Sequence, residues 1–236
     1  MRPPATTRAE RRPRPLPELA HRAAFAGVSL LPPRPQAAVL RRYFDWWHRR
    51  SDPWGIASDA YERYKHHATL RLVPRRPYRR ILDVGCSEGV FTRLVAAAYP
   101  DADVTGVDIS ERALARARRA APRLTFVRSD LLGYDRPGAF DLVFCAEMLY
   151  YLGREDRLAL ASARLVRLLA PHGLLVLVHP WPESDDLHRH VAADAAVDRV
   201  AEHVDHTVHR PFAVAVYRRR ANPGTGDAAA ALTAGR

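Results

Sequence analysis

Cysteine, lysine and long apolar runs are all scarce in this 236-residue sequence. Its two cysteines, Cys86 and Cys145, are too few for a disulfide framework, which favours a reduced, cytoplasmic setting. No apolar run approaches the ~18 residues that a membrane-spanning helix needs, so we expect no membrane partner. The amino-terminal residues are rich in arginine and proline and have no apolar core, which argues against a secretory signal peptide.

Positive charge is confined to one part of the chain. The formal net charge is +11, but residues 1–80 carry 18 basic and 6 acidic residues, whereas residues 81–236 carry 19 and 20. Nearly all of the 37 basic residues are arginine, and Lys65 is the single lysine. Because the basic excess belongs to the amino-terminal third and arginine replaces lysine throughout, we do not expect nucleic acid to be the partner.

Four segments differ in composition. The first holds 8 of the 19 prolines and little apolar periodicity, so we predict a disordered basic leader. The second contains two helical patterns, over residues 37–50 and 58–72, which the breaker "SDPWG" separates. The third holds the main domain, and the fourth is predicted to be a disordered tail. The bounds of the four segments are 1–35, 36–78, 79–221 and 222–236.

From Arg80 onward, apolar strand patterns alternate with helical ones. Strands are indicated by "RILDVG", "ADVTGVDI", "LTFVRSD", "FDLVFCAEM" and "LLVLVHP". Such alternation is typical of a parallel sheet covered by helices on both faces. We also predict one helix over residues 185–204 and a final strand pair in "HTVHRP" and "FAVAVYRRR". The predicted fold class is therefore α/β: a single doubly wound Rossmann-like domain with a mostly parallel seven-stranded sheet and an amino-terminal helical cap.

The stretch "GCSEG", from Gly85 to Gly89, allows two interpretations. It fits the G-x-S-x-G elbow that presents a serine nucleophile, and it fits a glycine-rich turn that lets a cofactor approach the backbone. The elbow needs earlier strands and an upstream oxyanion loop, and neither precedes Ile81. A nicotinamide-binding turn needs glycine at its sixth position, where this sequence has Val90. We therefore interpret Ser87 as a small residue in a glycine position.

Acidic residues at the strand ends accompany this turn. Asp83 precedes the first glycine by two residues, Asp108 ends the next predicted strand, and Asp130 ends the third. A carboxylate about 20 residues after the turn is placed to accept hydrogen bonds from both ribose hydroxyls of a nucleotide. Glu147 lies just past the fourth strand, where doubly wound sheets bind their ligands.

Taken together, "LDVGCSEG", "VTGVDIS", "FVRSDLL", "FDLVFCAEMLYYL" and "LLAPHGLLVLV" resemble, in order and spacing, the successive motifs of class I S-adenosylmethionine (SAM) methyltransferases. The resemblance covers residues 80–180, and Ser87 departs from the family's middle glycine. "SDPWG" and "YERYKHHATLRLV" extend it to residues 51–180 and to the nodulation protein S group, whose members N-methylate an amino sugar. It implies SAM as co-substrate, no metal, and a small polar acceptor.

The resemblance also implies which residues hold SAM. Asp83 would orient the methionine ammonium, Asp108 would bind the ribose hydroxyls, and Asp130 would accept from the adenine amino group. A helix cap is the alternative for Asp108, and a loop cap is the alternative for Asp130. Cys86 and Cys145 are interpreted as packing residues rather than as a metal pair. Arg63 or Lys65 would pair with the SAM carboxylate, and a solvated helix face is the alternative for this helix. The full predicted set of SAM contacts is Tyr61, Arg63, Lys65, Asp83, Gly85, Cys86, Ser87, Gly89, Asp108, Ile109, Asp130 and Leu131.

Methyl transfer from a sulfonium is an in-line displacement that depends mainly on alignment. A hydroxyl acceptor needs a base, whereas a neutral amine does not, and the sequence holds no unmistakable base. His179, expected at the rim of the site, and Glu147 are the catalytic candidates, with a structural histidine as the alternative for His179. Trp46, Trp47 and Trp54 form either a sugar-stacking lid or part of the core.

N-methylation of an amino sugar or of an aminated natural-product intermediate is the first expectation for the function. The alternatives are an O-methyltransferase of a small molecule, an RNA methyltransferase that uses the basic amino-terminal third, and a SAM-binding module without activity. The sequence does not indicate the oligomeric state.

Overall fold

The helices and strands follow the alternation expected from the sequence. The structure, a computed structural model, describes Phe25 and residues 27–221, so the predicted tail and most of the predicted leader lie outside the described residues. The helices are α1 (Pro33–Trp47), α2 (Ala60–Leu72), α3 (Val90–Ala98), α4 (Glu111–Ala120), α5 (Glu155–Leu168) and α6 (Glu183–Ala192), with a 3₁₀ turn at Leu149–Leu152. The strands are β1 (Arg80–Val84), β2 (Asp103–Asp108), β3 (Thr125–Arg128), β4 (Phe140–Ala146), β5 (Leu169–Pro180), β6 (Val197–Asp205) and β7 (Phe212–Arg219). None of the described helices is both long and apolar enough to cross a membrane.

Five parallel strands form the part of the sheet that positions the site. In the described part of the chain, seven strands lie in the order β3-β2-β1-β4-β5-β7-β6. Strand β1 pairs in parallel with β2 and β4, whereas β7 is antiparallel to both β5 and β6. The chain runs from β1 to one side of the sheet and returns through β4 on the other, so a switch point lies at the carboxyl ends of β1 and β4. The predicted fold class is confirmed.

Apolar side chains cover both faces of the sheet. Ile81 and Leu82 of β1 are fully buried and point to opposite faces, because successive side chains of a strand alternate. Leu82 belongs to the same apolar cluster as Leu165 of α5, and Ile81 to the same cluster as Phe91 of α3 and Tyr64 of α2. Each buried side chain of this size contributes about 1.5–3 kcal/mol. The strand ends that hold the site are therefore rigidly supported.

Side-chain caps fix the start of two helices that border the site. Asp59 precedes α2, and its carboxylate accepts a hydrogen bond from the Tyr61 N–H at 2.8 Å. Ser110 precedes α4, and its hydroxyl accepts one from the Ala113 N–H at 3.3 Å. Removal of such a cap typically costs about 1 kcal/mol. The caps set where each helix begins relative to the strand ends.

The carboxyl-terminal helix is shorter than the sequence predicts. The expectation of one helix over residues 185–204 is wrong in its second half, since α6 ends at Ala192 and β6 begins at Val197. An alanine-rich segment suits a helix, but its pairing with the buried strand β7 decides the conformation. "HTVHRP" is not a strand, because residues 206–211 connect β6 to β7.

Part of the segment predicted to be a disordered leader is folded. Phe25 is 6% exposed, and its ring centroid lies 5.1 Å from that of Tyr43 and 5.0 Å from that of Tyr151. Helix α1 begins at Pro33, earlier than predicted, because proline is tolerated in the first helical turn, where its missing N–H is not needed. The prediction of disorder is therefore wrong for the described residues of segment 1–35.

Candidate functional site

The turn from Gly85 to Gly89 joins β1 to α3 and leaves little room for side chains. Both glycines have left-handed backbone, with φ of 76° and 71°. A Cβ at Gly89 would lie 3.0 Å from the ring of Phe126, and one at Gly85 would lie 3.2 Å from Met148. Ser87 also has a positive φ, 49°, a conformation that glycine adopts without strain. The turn presents bare backbone at the carboxyl end of β1, which suits the close approach of a ligand.

Asp108 ends β2 and ties the turn to the start of α4. Its Oδ2 accepts a hydrogen bond from the Ser87 N–H at 2.9 Å, and its Oδ1 accepts one from the Ser110 N–H at 2.8 Å. Burial raises the pKa of Asp108 above its usual value, and these two N–H groups oppose that effect. Because each carboxylate oxygen has a second lone pair, Asp108 is held in one orientation and retains capacity for two further donors.

Asp83 lies at the fourth position of β1, below the turn. Its side chain is 3% exposed, and the Thr92 hydroxyl of α3 donates a hydrogen bond to its Oδ2 at 2.6 Å. Burial raises the pKa of Asp83 to about 7, although the hydrogen bond from Thr92 opposes this and the charge of Asp108 adds to it. A cation bound next to Asp83 would therefore shift this carboxyl group toward its ionised form.

Asp130 and its neighbours mark the third strand end. The Oδ1 of Asp130 accepts a hydrogen bond from the Gly133 N–H at 2.8 Å, so this side chain caps the loop after β3. Leu131 is 7% exposed and belongs to an apolar core cluster, whereas Ile109 is half-buried at the end of β2. The structure thus brings Ile109 and Asp130 to the carboxyl edge of the sheet and turns Leu131 inward.

Cys86 and Cys145 are buried free thiols near the ends of adjacent strands. The register pairs Val84, two residues before Cys86, with Cys145. Burial raises the pKa of both thiols, so neither is a thiolate at neutral pH. Cys86 packs in an apolar cluster with Leu114 and Phe126.

Lys65 and Glu147 form an ion pair between α2 and the end of β4. The Lys65 Nζ donates to the Glu147 Oε1 at 2.7 Å, and it lies 2.9 Å from the Glu62 Oε2. Burial by itself lowers the pKa of Lys65, which is 3% exposed, but the two carboxylates outweigh burial and raise it. Glu147 has a left-handed backbone with φ of 53°, and the Tyr150 hydroxyl donates to its Oε2 at 3.2 Å. A strained acidic residue at the switch point is typical of functional sites.

Tyr61 lies with Lys65 at the site, but Arg63 does not. Tyr61 is 4% exposed, its hydroxyl donates to the Arg210 carbonyl at 2.8 Å, and its ring centroid lies 5.1 Å from the Lys65 Nζ. Arg63 is exposed and donates to the Ser58 carbonyl at 3.1 Å. Arg63 therefore points away from Lys65, since residues two apart on a helix point in different directions, and its predicted contact with the ligand stays a prediction.

The predicted position of His179 at the rim of the site is also wrong. His179 is fully buried, because α6 covers the end of β5. Its Nε2 accepts from the Leu149 N–H at 3.2 Å, so Nδ1 carries the proton and donates to the His188 Nε2 at 2.9 Å. Burial lowers the pKa of His179 to about 3. Because both ring nitrogens have protein partners, His179 has no free nitrogen with which to act as a base.

Sequence reasoning missed the polar residues that join the end of α1 to the turn. The His48 Nε2 lies 3.0 Å from the Ser87 Oγ, and the Arg116 Nη1 donates to the Glu88 Oε1 at 2.9 Å. Glu88 lies inside the glycine-rich turn, and that position is the sequence signal by which it could have been found. His48 has a weaker signal, since it follows Phe44 by one helical turn.

His66, next to Lys65, was missed as well. Its side chain is 7% exposed, and its ring centroid lies 4.8 Å from that of Phe91. Burial lowers the pKa of His66 to about 3, with the charge of Lys65 adding to the effect. The ring is therefore neutral near the start of α3.

Aromatic side chains of α1 pack on one another rather than lining an open groove. Trp47 lies 6.2 Å, between ring centroids, from both Tyr43 and Trp54, and Trp54 lies 6.1 Å from Phe44. Trp46 is 52% exposed. Trp47 and Trp54 thus belong to a cluster that stiffens the segment over the turn, and Trp46 lies at its outer surface.

The segment that contains the turn and the strand ends is similar to a known protein family. Residues 81–173 match the family model described as "Methyltransferase domain". The predicted resemblance to the class I SAM methyltransferases and to the nodulation protein S group is confirmed.

Curated relatives share about a third of their residues with this chain over the matched part. Nodulation protein S of Rhizobium tropici is 35% identical over 129 residues, which are 53% of this chain and 53% of that protein. A trans-aconitate 2-methyltransferase of Methylobacterium radiotolerans is 38% identical over 127 residues, 54% of this chain and 48% of that protein. The chain spans about half the length of the curated relatives it matches.

A solved structure shares the fold. The N-methyltransferase NodS from Bradyrhizobium japonicum WM9, crystallised with S-adenosyl-L-homocysteine (SAH), superposes with a TM-score of 0.67. The sequences are 23% identical, and the match covers 76% of this chain and 97% of that chain. At this identity the likeness establishes the fold of the sheet and its helices.

Proposed function

We propose that this chain is a SAM-dependent methyltransferase that acts on a small polar metabolite. The observation that carries the proposal is the arrangement at two adjacent strand ends. Asp83 and Asp108 flank a turn whose left-handed glycines leave the backbone bare. The match of residues 81–173 to a methyltransferase domain family supports the same conclusion.

The residues at the turn fit SAM. Gly85 and Gly89 have no side chains, so a ligand can contact the backbone of the turn directly. Asp108 would accept from the two ribose hydroxyls, for which its carboxylate has lone pairs left. Asp83, ionised in the presence of a cation, would pair with the ammonium of the methionine part. SAM itself supplies the methyl group on a sulfonium, and the protein aligns the acceptor with it.

An amine is the acceptor that the surroundings favour. Glu147 places a carboxylate at the switch point, and Lys65 and Tyr150 fix its orientation. Its carboxylate is 29% exposed, so an acceptor N–H has access to it. The buried His179 offers no base for a hydroxyl, and a neutral amine needs none. We therefore propose N-methylation of an amino sugar or of another aminated metabolite, as in the nodulation protein S relatives.

O-methylation of an organic acid is the second candidate. A trans-aconitate 2-methyltransferase matches this chain at 38% identity, and a carboxylate, like a neutral amine, accepts a methyl group without a base. Arg210, 52% exposed and with its guanidinium 4.0 Å from the Tyr61 ring centroid, is a cation on the same side as Lys65. It would pair with such an acid.

The test has two stages. Calorimetry with SAM and SAH first establishes binding, and absence of heat with both ligands would end the proposal. Labelled SAM is then offered with amino sugars, aminated natural-product scaffolds, trans-aconitate, phenols and RNA, and mass spectrometry locates the methyl group. Label on nitrogen supports the first candidate, and label on a carboxylate supports the second. Label on RNA alone, or binding without any turnover, contradicts both.

A further inference from the structure

Ser87 has a backbone conformation that is strained for a residue with a side chain. Its φ of 49° lies in the left-handed region, where a residue with a Cβ is strained and glycine is not. The methyltransferase motif that this turn resembles has glycine there. Strain of this kind persists only where the surroundings hold the residue in place. The Ser87 N–H bond to Asp108 is one contact that holds it, and the hydroxyl supplies another.

The partner of that hydroxyl is His48, at the end of α1. The His48 Nδ1 lies 2.9 Å from the Phe44 carbonyl oxygen, which only accepts, so Nδ1 carries the proton. That leaves Nε2 to accept from the Ser87 hydroxyl, 3.0 Å away. His48 is 1% exposed, so water does not replace this donor if the hydroxyl is removed.

The neighbouring residue of the turn makes a parallel connection. The Glu88 Oε1 accepts from the Asp52 N–H at 3.0 Å, and its Oε2 accepts from the Ser51 hydroxyl at 3.1 Å. Arg116 of α4 donates to the same carboxylate and to the His48 carbonyl at 2.8 Å. Two consecutive residues of the turn therefore hold the segment that follows α1.

Ser87 also contacts Asp108, the residue proposed to bind the ribose. The Ser87 N–H donates to the Asp108 Oδ2, while its hydroxyl binds His48. Because backbone and side chain of one residue connect the two, the end of α1 lies directly beside the position proposed for SAM. A ligand held by the turn and by Asp108 is then enclosed by residues 48–52 on that side.

We infer that Ser87 and His48 form a clamp that closes residues 48–52 over the SAM turn and sets how long SAM or SAH stays bound. Both are positioning residues, since they act through the placement of the segment and of Asp108. The identity of the ligand rests on the proposed function. The clamp itself rests on the contact between the two side chains.

The clamp predicts that the effect of one substitution depends on the other. Ser87→Gly removes the backbone strain and also leaves the His48 Nε2 without a donor. In the natural background the lost hydrogen bond dominates, and the melting temperature falls. In a His48→Leu background no acceptor is left unsatisfied, so Ser87→Gly relieves strain and raises the melting temperature. A double-mutant cycle measures this reversal.

Stopped-flow displacement of SAH measures the residence time. Three of the four tryptophans, Trp46, Trp47 and Trp54, lie in or next to the clamped segment, so intrinsic fluorescence reports its state. We expect Ser87→Ala and His48→Leu each to raise the SAH dissociation rate about five- to tenfold, and the double variant to add little. His48→Gln, whose amide oxygen reaches the position of Nε2, should restore most of the natural rate. Ser184→Ala, at another buried serine, in α6, is the matched control and should leave the rate unchanged.

The outcomes separate the clamp from the proposed function. If the natural protein binds neither SAM nor SAH, the proposed function and the effect on residence time both fail, and the melting-temperature cycle alone decides whether the clamp exists. If the natural protein binds SAH but Ser87→Ala and His48→Leu dissociate at its rate, the clamp inference is overturned while the proposed function stands. A rise in melting temperature for Ser87→Gly in both backgrounds overturns the clamp as well.

Discussion

Lys65 donates a hydrogen bond of 2.7 Å to Glu147, and this contact joins a helix that precedes the sheet to the residue that follows β4. The two residues are 82 positions apart, and the lysine is 3% exposed. Because Glu62 also lies 2.9 Å from the ammonium, one buried cation pairs with two carboxylates. This is the only lysine of the chain, and its place in the fold explains why the side chain has to be cationic there.

Removing the cation should destabilise the protein strongly. Lys65→Met keeps the volume of the side chain but leaves Glu147 without its counter-charge and Glu62 with only Arg210, whose Nη2 lies 3.4 Å from its Oε1. Breaking a buried pair in this way typically costs about 3–5 kcal/mol. For a chain of this size we expect a fall in melting temperature of roughly 6–20 °C, measured by calorimetry at neutral pH.

Arg63→Met is the matched control for that experiment, because Arg63 lies on the exposed side of the same helix. Its effect should stay within about 0.5 kcal/mol. Equal melting temperatures for Lys65→Met and Arg63→Met would contradict a structural role for the ion pair.

Asp108 should dominate the affinity for SAM among the strand-end acids. Asp108→Asn keeps the shape of the side chain but removes the charge that would accept from both ribose hydroxyls. Hydrogen bonds to charged groups contribute about 1.5–3 kcal/mol, so we expect at least tenfold weaker binding by calorimetry. Asp130→Asn tests the adenine contact, and a smaller loss is expected, because this carboxylate already caps its loop through Gly133. A larger loss at Asp130 than at Asp108 would reverse the assignment.

Asp83 should make the ligand-free protein less stable as the pH rises. The folded pKa is about 7 and the usual value is 3.8, so between these pH values the folded state retains a proton that the unfolded chain has lost. Stability from this group is complete below about pH 4 and declines until about pH 7, by at most about 4 kcal/mol. Asp83→Asn should therefore melt higher than the natural protein at pH 8, with a smaller difference at pH 5.

SAM binding should show the opposite dependence on pH. The ammonium of SAM favours the ionised Asp83, so affinity should fall as the pH drops below about 7. In Asp83→Asn this dependence should disappear and affinity should be low throughout. Calorimetric titrations at pH 6, 7 and 8 measure both trends. Identical pH profiles for the natural protein and the variant would exclude Asp83 as the partner of the ammonium.

Truncation should separate the two parts of the amino-terminal segment. Deleting residues 1–24 leaves Phe25 in place, and we expect the melting temperature and the SAM affinity to stay nearly unchanged. Deleting residues 1–31 removes Phe25 from between Tyr43 and Tyr151, and loss of a buried phenylalanine costs about 3–5 kcal/mol. Phe25→Ala in the full chain should reproduce most of that loss. An equal fall in melting temperature for both truncations would show that the loss does not come from Phe25.

Local patterns in the sequence were sufficient for the strand ends but not for the contacts between them. The glycine turn, Asp83 and Asp108 belong to short motifs whose spacing follows from a strand, a turn and a helix. The contacts of Ser87 with His48 and of Lys65 with Glu147 span 39 and 82 residues, and no local periodicity encodes them. Only the packing of α1 and α2 on the sheet brings these side chains together.

The errors have similar causes. His179 was expected at the rim because it ends β5, but α6 folds over that end and supplies His188 as its partner. The second half of the predicted helix forms β6, because it pairs with the edge of β7. Such tertiary pairing overrides a weak helical preference. In both cases the deciding neighbour comes later in the chain than the pattern that was interpreted.

The pH dependence of turnover should identify the acceptor as an amine. An amine accepts the methyl group only after its ammonium has lost a proton, so the rate at saturating SAM should rise with pH through the pKa of the acceptor. His179 contributes nothing to this profile, because burial holds its pKa at about 3 and both nitrogens are engaged. Two acceptors whose amines differ in pKa should therefore give two profiles, displaced by that difference. His179→Gln should lower the melting temperature while kcat falls by less than about tenfold, below the range typical of a general base. A single profile with a midpoint near neutrality for both acceptors would mean instead that the protein supplies a base, and Glu147→Gln would then be the first variant to test for its loss.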